Sequence, residues 1–199
     1  ETMIAKKGEL TGIPTGFLAL DDMLRGLHGT EMIVIAGRPG TGKTSIALNI
    51  AEHVALNPKK QVPVLVFSLE MGAKQLVMRM ISSRAHINQR LLRQGKLQKD
   101  DVPDVHRAGA EMKKAPVWID DSSDMTIVEM RAKARRLKQQ HGIGLIVVDY
   151  LQLLKGVDSR VAREQQVAEM SRGMKAMAKE LDVPVIVLAQ LNRDSEKDN

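Results

Sequence analysis

Five short runs of apolar residues, rich in Val and Ile, alternate with longer amphipathic stretches along the chain. Each run is apolar at successive positions, which is typical of strands that are buried on both faces of a sheet. Strands that alternate with helices predict an α/β fold, with a mostly parallel central sheet and helices on both faces. The runs are MIVIAG (32–37), VPVLVFS (62–68), PVWID (116–120), GLIVVDYLQLL (144–154) and VPVIVLAQL (183–191).

The stretches between these runs carry residues at helical spacing, so that each set shares one helix face. They predict four helices, with faces formed by Ile46, Ile50 and Val54; by Leu76, Met80 and Ser83; by Ile127, Met130, Ala134 and Leu137; and by Val167, Met170, Met174, Met177 and Leu181. Residues 1–10 are polar, and we expect them to form a tether. A polar tail directly after the last apolar run is unusual for a domain boundary, so we expect the chain to be part of a longer protein.

The composition indicates one globular domain. A chain of 199 residues with 43% apolar and 27% charged residues is long and apolar enough to bury a core. It has no apolar run of membrane-spanning length, no signal-peptide pattern and no Cys, which suits a cytoplasmic protein. The net charge of +6 fits a polyanionic partner, but it fits a basic surface without one equally well. Only four aromatic residues occur, and they are scattered, so any nucleic acid is expected to be contacted through its backbone.

One segment matches the phosphate-loop pattern G-x-x-x-x-G-K-[ST] between a predicted strand and a predicted helix. Backbone N–H groups of such a loop converge on phosphate oxygens, and the helix N-terminus adds its dipole. Lys43 would then reach the β- and γ-phosphates, and the Thr44 hydroxyl would coordinate Mg²⁺. The predicted nucleotide-binding residues are Gly37, Arg38, Pro39, Gly40, Thr41, Gly42, Lys43, Thr44 and Ser45.

Three further polar residues lie at or just past the ends of predicted strands, where ligands bind in open α/β sheets. Asp149 is predicted to hold Mg²⁺, although such an acid can instead cap the following turn. Many nucleotide hydrolases place a glutamate next to this aspartate, but here the next residue is Tyr150. Glu70 is the alternative acid that could polarise the attacking water, unless it merely begins the next helix. Gln190 could sense the γ-phosphate, or it could contact only water.

Six segments, taken in order, resemble the bacterial or phage replicative DNA helicase of the DnaB type, and more narrowly its C-terminal RecA-like ATPase domain. They extend over nearly the whole chain, which makes the resemblance more specific than the phosphate loop alone. The segments are TGIPTGF with the following LD (11–21), GRPGTGKTS (37–45), VFSLEM (66–71), RAKARRLK (131–138), VVDYLQL (147–153) and VIVLAQLNR (185–193).

The resemblance implies ATP and Mg²⁺ as cofactors, Glu70 as the catalytic base and Gln190 as the γ-phosphate-sensing amide. It also implies a homohexameric ring around single-stranded DNA, with nucleotide held between neighbouring subunits. Primase and a helicase loader are the implied partners of a full-length protein. Residues 1–10 would be a remnant of the interdomain linker and residues 11–199 an ATPase domain truncated at its C-terminal end, with the arginine finger beyond Asn199.

The family places a DNA-contacting loop where this chain has KGVDSRVAREQQ (155–166). Lys155, Arg160 and Arg163 are therefore the predicted DNA contacts, unless the segment is only a solvated connection. A second basic stretch, RAKARRLK, fits an ordinary solvated helix face, or a subunit interface in a ring. Asp120, Asp121 and Asp124 precede a T-x-x-E capping box at Thr126–Glu129, so helix capping is favoured there over a metal site. The five histidines show no ligand spacing.

Two other functions stay open at this point. A strand-exchange recombinase or a circadian-clock-type ATPase has the same phosphate loop and a similar aspartate strand. A non-motor loader would bind ATP as a structural ligand.

Overall fold

The structure is a computed structural model that describes residues 10–151, 154 and 162–191, and only the backbone of Arg163. No helix in this part of the chain is both long and apolar enough to span a membrane. In chain order the elements are α1 (Leu18–Leu24), β1 (Met32–Gly37), α2 (Lys43–Ala55), β2 (Val64–Ser68), α3 (Ala73–Arg84), α4 (Gln89–Gln94), α5 (Asp101–Lys114), β3 (Val117–Asp120), α6 (Ile127–His141), β4 (Leu145–Asp149), α7 (Arg163–Leu181) and β5 (Val185–Gln190).

The five strands form one sheet in the order β1-β5-β4-β2-β3, and every pairing is parallel. Each of the five apolar runs contains one of these strands. The predicted α/β fold with a parallel central sheet is therefore confirmed.

Helices cover both faces of the sheet. Successive strand residues alternate between two apolar clusters, because side chains in a strand point to opposite faces. One cluster joins Phe67 and Val148 to the buried residues of α6 and α7, among them Met130 and Met174. The opposite cluster packs its strand residues against α2 and α3. Aliphatic and methionine side chains make up most of both clusters.

The expectation that all strands are buried on both faces is wrong for β1. Val34 is 52% exposed and Ala36 is exposed as well, because β1 is an end strand of the sheet. The central strands β2 and β4 are buried throughout. The assignment of Ser83 to the buried face of α3 is also wrong: Ser83 is exposed, whereas its neighbour Ser82 is buried.

The strand order brings the ends of four strands together. Gly37 at the end of β1 pairs in register with Gln190 at the end of β5. Asp149 at the end of β4 pairs with Ser68 at the end of β2. Leu69, which follows β2, donates its backbone N–H to the Asp149 carbonyl at 2.7 Å. Because these strands are parallel, the segments that follow them emerge at one edge of the sheet, where the candidate site lies.

Candidate functional site

The predicted phosphate loop connects β1 to α2 and is closed by its own hydrogen bonds. Thr41 donates from its backbone N–H and from its hydroxyl to the Arg38 carbonyl, at 3.3 and 2.8 Å. Gly40 and Gly42 have φ angles of 77° and 91°, a region that side chains other than glycine rarely adopt. A Cβ at either position would meet no atom within 4 Å, so open space lies beside the loop.

Lys43 is the first residue of α2, and its side chain turns back over the loop. Its Nζ donates to the carbonyls of Gly37 and Arg38 at 2.7 and 2.8 Å. The ammonium group is thus held against the phosphate loop, at the N-terminus of α2. A helix N-terminus and a lysine at this place form a positively charged site that suits phosphate oxygens.

Thr44 and Asp149 contact each other across the end of the sheet. The Thr44 hydroxyl donates to Asp149 Oδ2 at 2.8 Å, and Asp149 is only 4% exposed. Burial raises the pKa of Asp149 above its ordinary value of 3.8, and the Glu70 carboxylate adds to the shift. The Thr44 hydrogen bond, Arg79 and Lys43 act in the opposite direction. A cation bound beside this pair would relieve the buried charge.

The oxygens of Thr44 and Asp149 fit a magnesium ion that is completed by phosphate and water. Mg²⁺ is usually held by one or two carboxylates together with substrate phosphates, rather than by a cage made only of protein. The described residues contain no group of three His, Cys, Asp or Glu side chains that could hold a metal by themselves.

Glu70 and Gln190 both line the same cavity as the phosphate loop. Glu70 is exposed and lies between β2 and α3, two residues before Gly72, which caps the helix. It is therefore not part of the first turn of α3, which was the structural alternative to a catalytic role. Gln190 is partly exposed and lies beside Gly37, at the start of the phosphate loop.

Tyr150 occupies the position beside Asp149 where other hydrolases carry a glutamate. It lines the cavity, and burial together with the charges of Glu70 and Asp149 raises the pKa of its hydroxyl. Glu70 therefore lies close to both Asp149 and Tyr150 although it follows a different strand.

The cavity holds about 580 Å³, a size typical of nucleotide and cofactor sites. It includes residues that the sequence interpretation missed, chiefly Arg79 of α3 and Gln89 of α4. The positive charge of Arg79 also lowers the pKa of Asp149. The buried Nε of Arg79 has no hydrogen-bond partner. Side chains of a helix point toward its N-terminus. An arginine two turns into the helix that follows Glu70 was therefore a usable signal in the sequence.

The predicted DNA contacts cannot be placed in the site. Lys155 and Arg160 lie outside the described residues, and Arg163 is described only by its backbone at the start of α7. Those predictions remain untested.

The basic residues of α6 are largely engaged within the chain. Arg131 and Arg135 both form ion pairs with Glu180 of α7, and Lys133 pairs with Asp120 at 2.6 Å. These contacts favour the solvated, intramolecular role of this helix face over a partner surface.

The capping box predicted at the start of α6 is confirmed, but Asp121 contacts the start of a different helix. Thr126 and Glu129 form a reciprocal capping box. Asp121 accepts a hydrogen bond from the backbone N–H of Ala73 at 2.9 Å, at the start of α3.

Comparison with known proteins gives one family. The sequence model described as the DnaB-like helicase C terminal domain matches residues 12–199. The replicative DNA helicase DnaB of Geobacillus stearothermophilus is 47% identical over 198 residues, which are 99% of this chain and 43% of that protein. The replicative DNA helicase DnaC of Bacillus subtilis (strain 168) is 46% identical, with the same coverage. The chain thus spans about two fifths of the length of these curated relatives.

Solved structures give the same result. The ATPase domain of the protein G40P superposes with a TM-score of 0.90 at 33% identity, covering 98% of this chain and 69% of that one. A DnaB-like replicative helicase, described together with its interactions with primase, also gives a TM-score of 0.90 at 33% identity, covering 98% of this chain and 46% of that one. The RecA-like fold class and the resemblance carried by the six sequence segments are confirmed.

Proposed function

The chain belongs to the family of DnaB-like helicase C-terminal domains, and we propose that it is the ATP-hydrolysing motor domain of a hexameric, cytoplasmic replicative DNA helicase. One observation carries the proposal. The Thr44–Asp149 hydrogen bond, the Lys43 ammonium and the Glu70 carboxylate all belong to one cavity, at the edge of the sheet where the phosphate loop opens.

Residues 37–45 would bind the triphosphate of ATP through backbone N–H groups, and Lys43 would exchange its two loop carbonyls for phosphate oxygens. Thr44 and Asp149 would hold Mg²⁺, which supplies charge neutralisation at the phosphates when it is bound. Glu70 would accept the proton of the attacking water. Gln190 would contact the γ-phosphate, and its position next to Gly37 supports that role.

Arg79 would supply a second positive charge from within the same chain. Its guanidinium lines the cavity, its Nε lacks an acceptor, and it already acts on Asp149. A phosphate oxygen is the acceptor that such a group favours.

The partners follow from the family. The curated relatives are named as replicative DNA helicases, and one solved neighbour is described with primase. We propose that this domain forms a homohexameric ring on single-stranded DNA, moves along it and unwinds duplex. Lys155, Arg160 and Arg163 would contact the phosphates of the single-stranded DNA. An arginine from the neighbouring subunit would complete each ATP site. Primase and a loader would bind the full-length protein. Residues 1–10 would belong to the linker that precedes the domain at 11–199.

Replacing the catalytic base tests this assignment. Glu70→Gln is expected to lower ATP turnover by about 10²- to 10⁴-fold, because the amide cannot accept the proton of the attacking water. It should leave the affinity for a fluorescent ATP analogue nearly unchanged, because the proposed role of Glu70 is to activate water and not to bind phosphate. Phosphate release and anisotropy measure the two quantities on the same preparation.

Two variants make the result specific. Lys43→Met should lose analogue binding itself, while Glu169→Gln, an equivalent change at an exposed position of α7, should alter neither quantity. Turnover by Glu70→Gln at the rate of the unaltered chain would disprove the assignment of the base. If Lys43→Met bound the fluorescent ATP analogue as tightly as the unaltered chain, the assignment of the nucleotide site would be disproved.

A further inference from the structure

The turn at residues 68–71, which we call the Glu70 turn, is anchored on both sides of Glu70. Leu69 is buried in the apolar cluster that contains α6 and α7. Met71 packs against the opposite cluster, which contains α2 and α3. Glu70 lies between these two residues and is exposed in the ATP cavity. Because its two neighbours are held on opposite faces of the sheet, the Glu70 carboxylate has little freedom to turn away from the cavity.

A single buried hydroxyl closes the Glu70 turn. Ser68, the last residue of β2, is only 1% exposed. Its hydroxyl donates to the Met71 carbonyl at 2.6 Å, and the Met71 N–H donates to the same hydroxyl oxygen at 3.3 Å. These two hydrogen bonds join the residues that flank Leu69 and Glu70, so they fix the path of the backbone that carries the proposed base.

The Glu70 turn is also attached to the strand that carries Asp149. Ser68 pairs in register with Asp149, and the Leu69 N–H donates to the Asp149 carbonyl at 2.7 Å. Ser68 is therefore bound to β4 through its backbone pairing and to Met71 through its hydroxyl. In this way Ser68 relates the position of the proposed base to that of the proposed magnesium ligand.

Ser68 itself does not belong to the wall of the ATP cavity, which Glu70 and Met71 line. Both hydrogen bonds of its hydroxyl go to Met71. The start of α3 is held separately, because Asp121 accepts a hydrogen bond from the Ala73 N–H at 2.9 Å. Loss of the Ser68 hydroxyl should therefore loosen the Glu70 turn while the helix after it stays anchored.

We propose that Ser68 is a positioning residue for ATP hydrolysis, whose hydroxyl holds the Glu70 turn so that the carboxylate faces the attacking water. The inference rests on the proposed function, because Ser68 acts only through the proposed base. A displacement of about 1 Å at a reacting group can lower a rate by about 10²-fold. Nucleotide binding does not depend on this turn, because the triphosphate is assigned to the phosphate loop at 37–45.

The test is Ser68→Ala in the full-length protein, which removes both hydrogen bonds and little volume. The kcat for ATP, measured with single-stranded DNA present, should fall by about 10- to 10²-fold. The KM for ATP and the affinity for the fluorescent ATP analogue should stay those of the unaltered protein, because only the chemical step is affected. Ser68→Thr keeps the hydroxyl and should restore most of the turnover. An unchanged kcat in Ser68→Ala would overturn the proposal.

A double variant separates positioning of the base from a general loosening of the fold. When Glu70 is already replaced by Gln, Ser68→Ala should lower single-turnover hydrolysis no further, because the hydroxyl acts through that carboxylate. Losses that multiply in the double variant would contradict the proposal. If Glu70→Gln lowers turnover and Ser68→Ala does not, this inference fails and the base assignment stands. If Glu70→Gln leaves turnover unchanged, both fail.

Thr15→Val is the matched control. Thr15 is fully buried, and its hydroxyl makes an equivalent pair of hydrogen bonds with Phe17, donating to the carbonyl at 3.4 Å and accepting from the N–H at 3.1 Å. Thr15 does not line the ATP cavity. Thr15→Val should lower the thermal stability, as Ser68→Ala does, and yet leave kcat unchanged. An equal loss of turnover in both variants would mean that reduced stability explains the effect, and the proposal would be wrong.

Discussion

Asp149 is a residue whose buried charge opposes folding. It is only 4% exposed and carries no ion-pair partner within the described part of the chain. Burial and the nearby Glu70 raise its pKa, which means that the folded state disfavours the charged form. A group that lowers stability is retained where function needs it, and binding Mg²⁺ is the proposed function here.

Asp149→Asn is therefore expected to stabilise the nucleotide-free chain at neutral pH. The pKa of Asp149 in the folded state lies above its unfolded value of 3.8. The contribution of Asp149 to folding stability is therefore fully present below pH 3.8 and is lost as the pH rises through the folded pKa. Asparagine can still accept the Thr44 hydrogen bond but carries no charge. Thermal unfolding in the presence of a chelator should show the largest increase in the stability of Asp149→Asn over the unaltered chain near pH 7. This increase should shrink toward pH 3.8.

Asp120→Asn is the control of opposite sign. Burial works against the charge of Asp120, but hydrogen bonds from Lys133 and Ser122 outweigh it and lower the pKa below 3.8. The charged form of Asp120 thus stabilises the folded chain above pH 3.8. This stabilisation is lost as the pH falls through the lower folded pKa. Removing that charge should destabilise the chain at neutral pH. The same sign of effect in both variants would contradict this account.

At the scale of elements, hydrophobic periodicity predicted the strands and helices whose apolar faces are buried. It predicted α2, α3, α6 and α7, but not α1, α4 and α5. The last two bury almost nothing: α4 has no buried residue, and α5 buries only Ala108. With six residues, α4 is too short to show a periodic pattern. In contrast, α5 places Val102, Val105, Ala108 and Met112 at helical spacing, a signal that the sequence interpretation missed.

Local sequence patterns also limit how much of the site could be predicted. Lys43, Thr44, Asp149, Glu70 and Gln190 could be named from motifs, because each lies in or beside a loop that follows a strand. Gln89 could not be named from a motif, because its position in the cavity depends on how α4 packs against α3. Neither the strand order nor the chain path after α3 is encoded in local periodicity.

The packing between α6 and α7 gives a prediction at this scale. A Cβ on Gly173 of α7 would lie 2.4 Å from Cγ1 of Ile127, a buried and β-branched side chain. Glycine in a helix interior normally costs about 0.5–1 kcal/mol relative to alanine. Gly173→Ala should nevertheless destabilise, by about 1–3 kcal/mol, as is typical when a packed core is overfilled.

Gly109→Ala is the matched comparison. Gly109 lies inside α5, and a Cβ there would meet nothing within 4 Å. That variant should gain about 0.5–1 kcal/mol from helix propensity alone. Urea unfolding of both variants measures the difference, and a stabilising Gly173→Ala would show that α7 can move away from Ile127.

At the scale of the whole molecule, the sheet gathers groups from four strands into one open cavity. Gly37, Gln190, Asp149 and Glu70 come from or follow β1, β5, β4 and β2, which are neighbours in that order. Among the described residues, Lys43 and Arg79 are the cations whose charges lower the pKa of Asp149. Phosphoryl transfer commonly needs a further arginine at the γ-phosphate, which another subunit can supply. The proposed ring therefore predicts that ATP turnover depends on contact between chains.

In the full-length protein, ATP turnover per subunit is expected to rise with protein concentration, and to rise again when single-stranded DNA is added. Concentration drives neighbouring chains together, and DNA favours the ring that closes around it, so both should complete sites that one chain leaves open. Phosphate release measured across a dilution series, with and without an oligothymidylate, checks this, and Lys43→Met gives the background. A rate per subunit that is high and independent of concentration would mean that each site is complete within one chain. In that case the cation that stabilises the transferred phosphate must come from this chain, and Arg79 is the cavity residue to test.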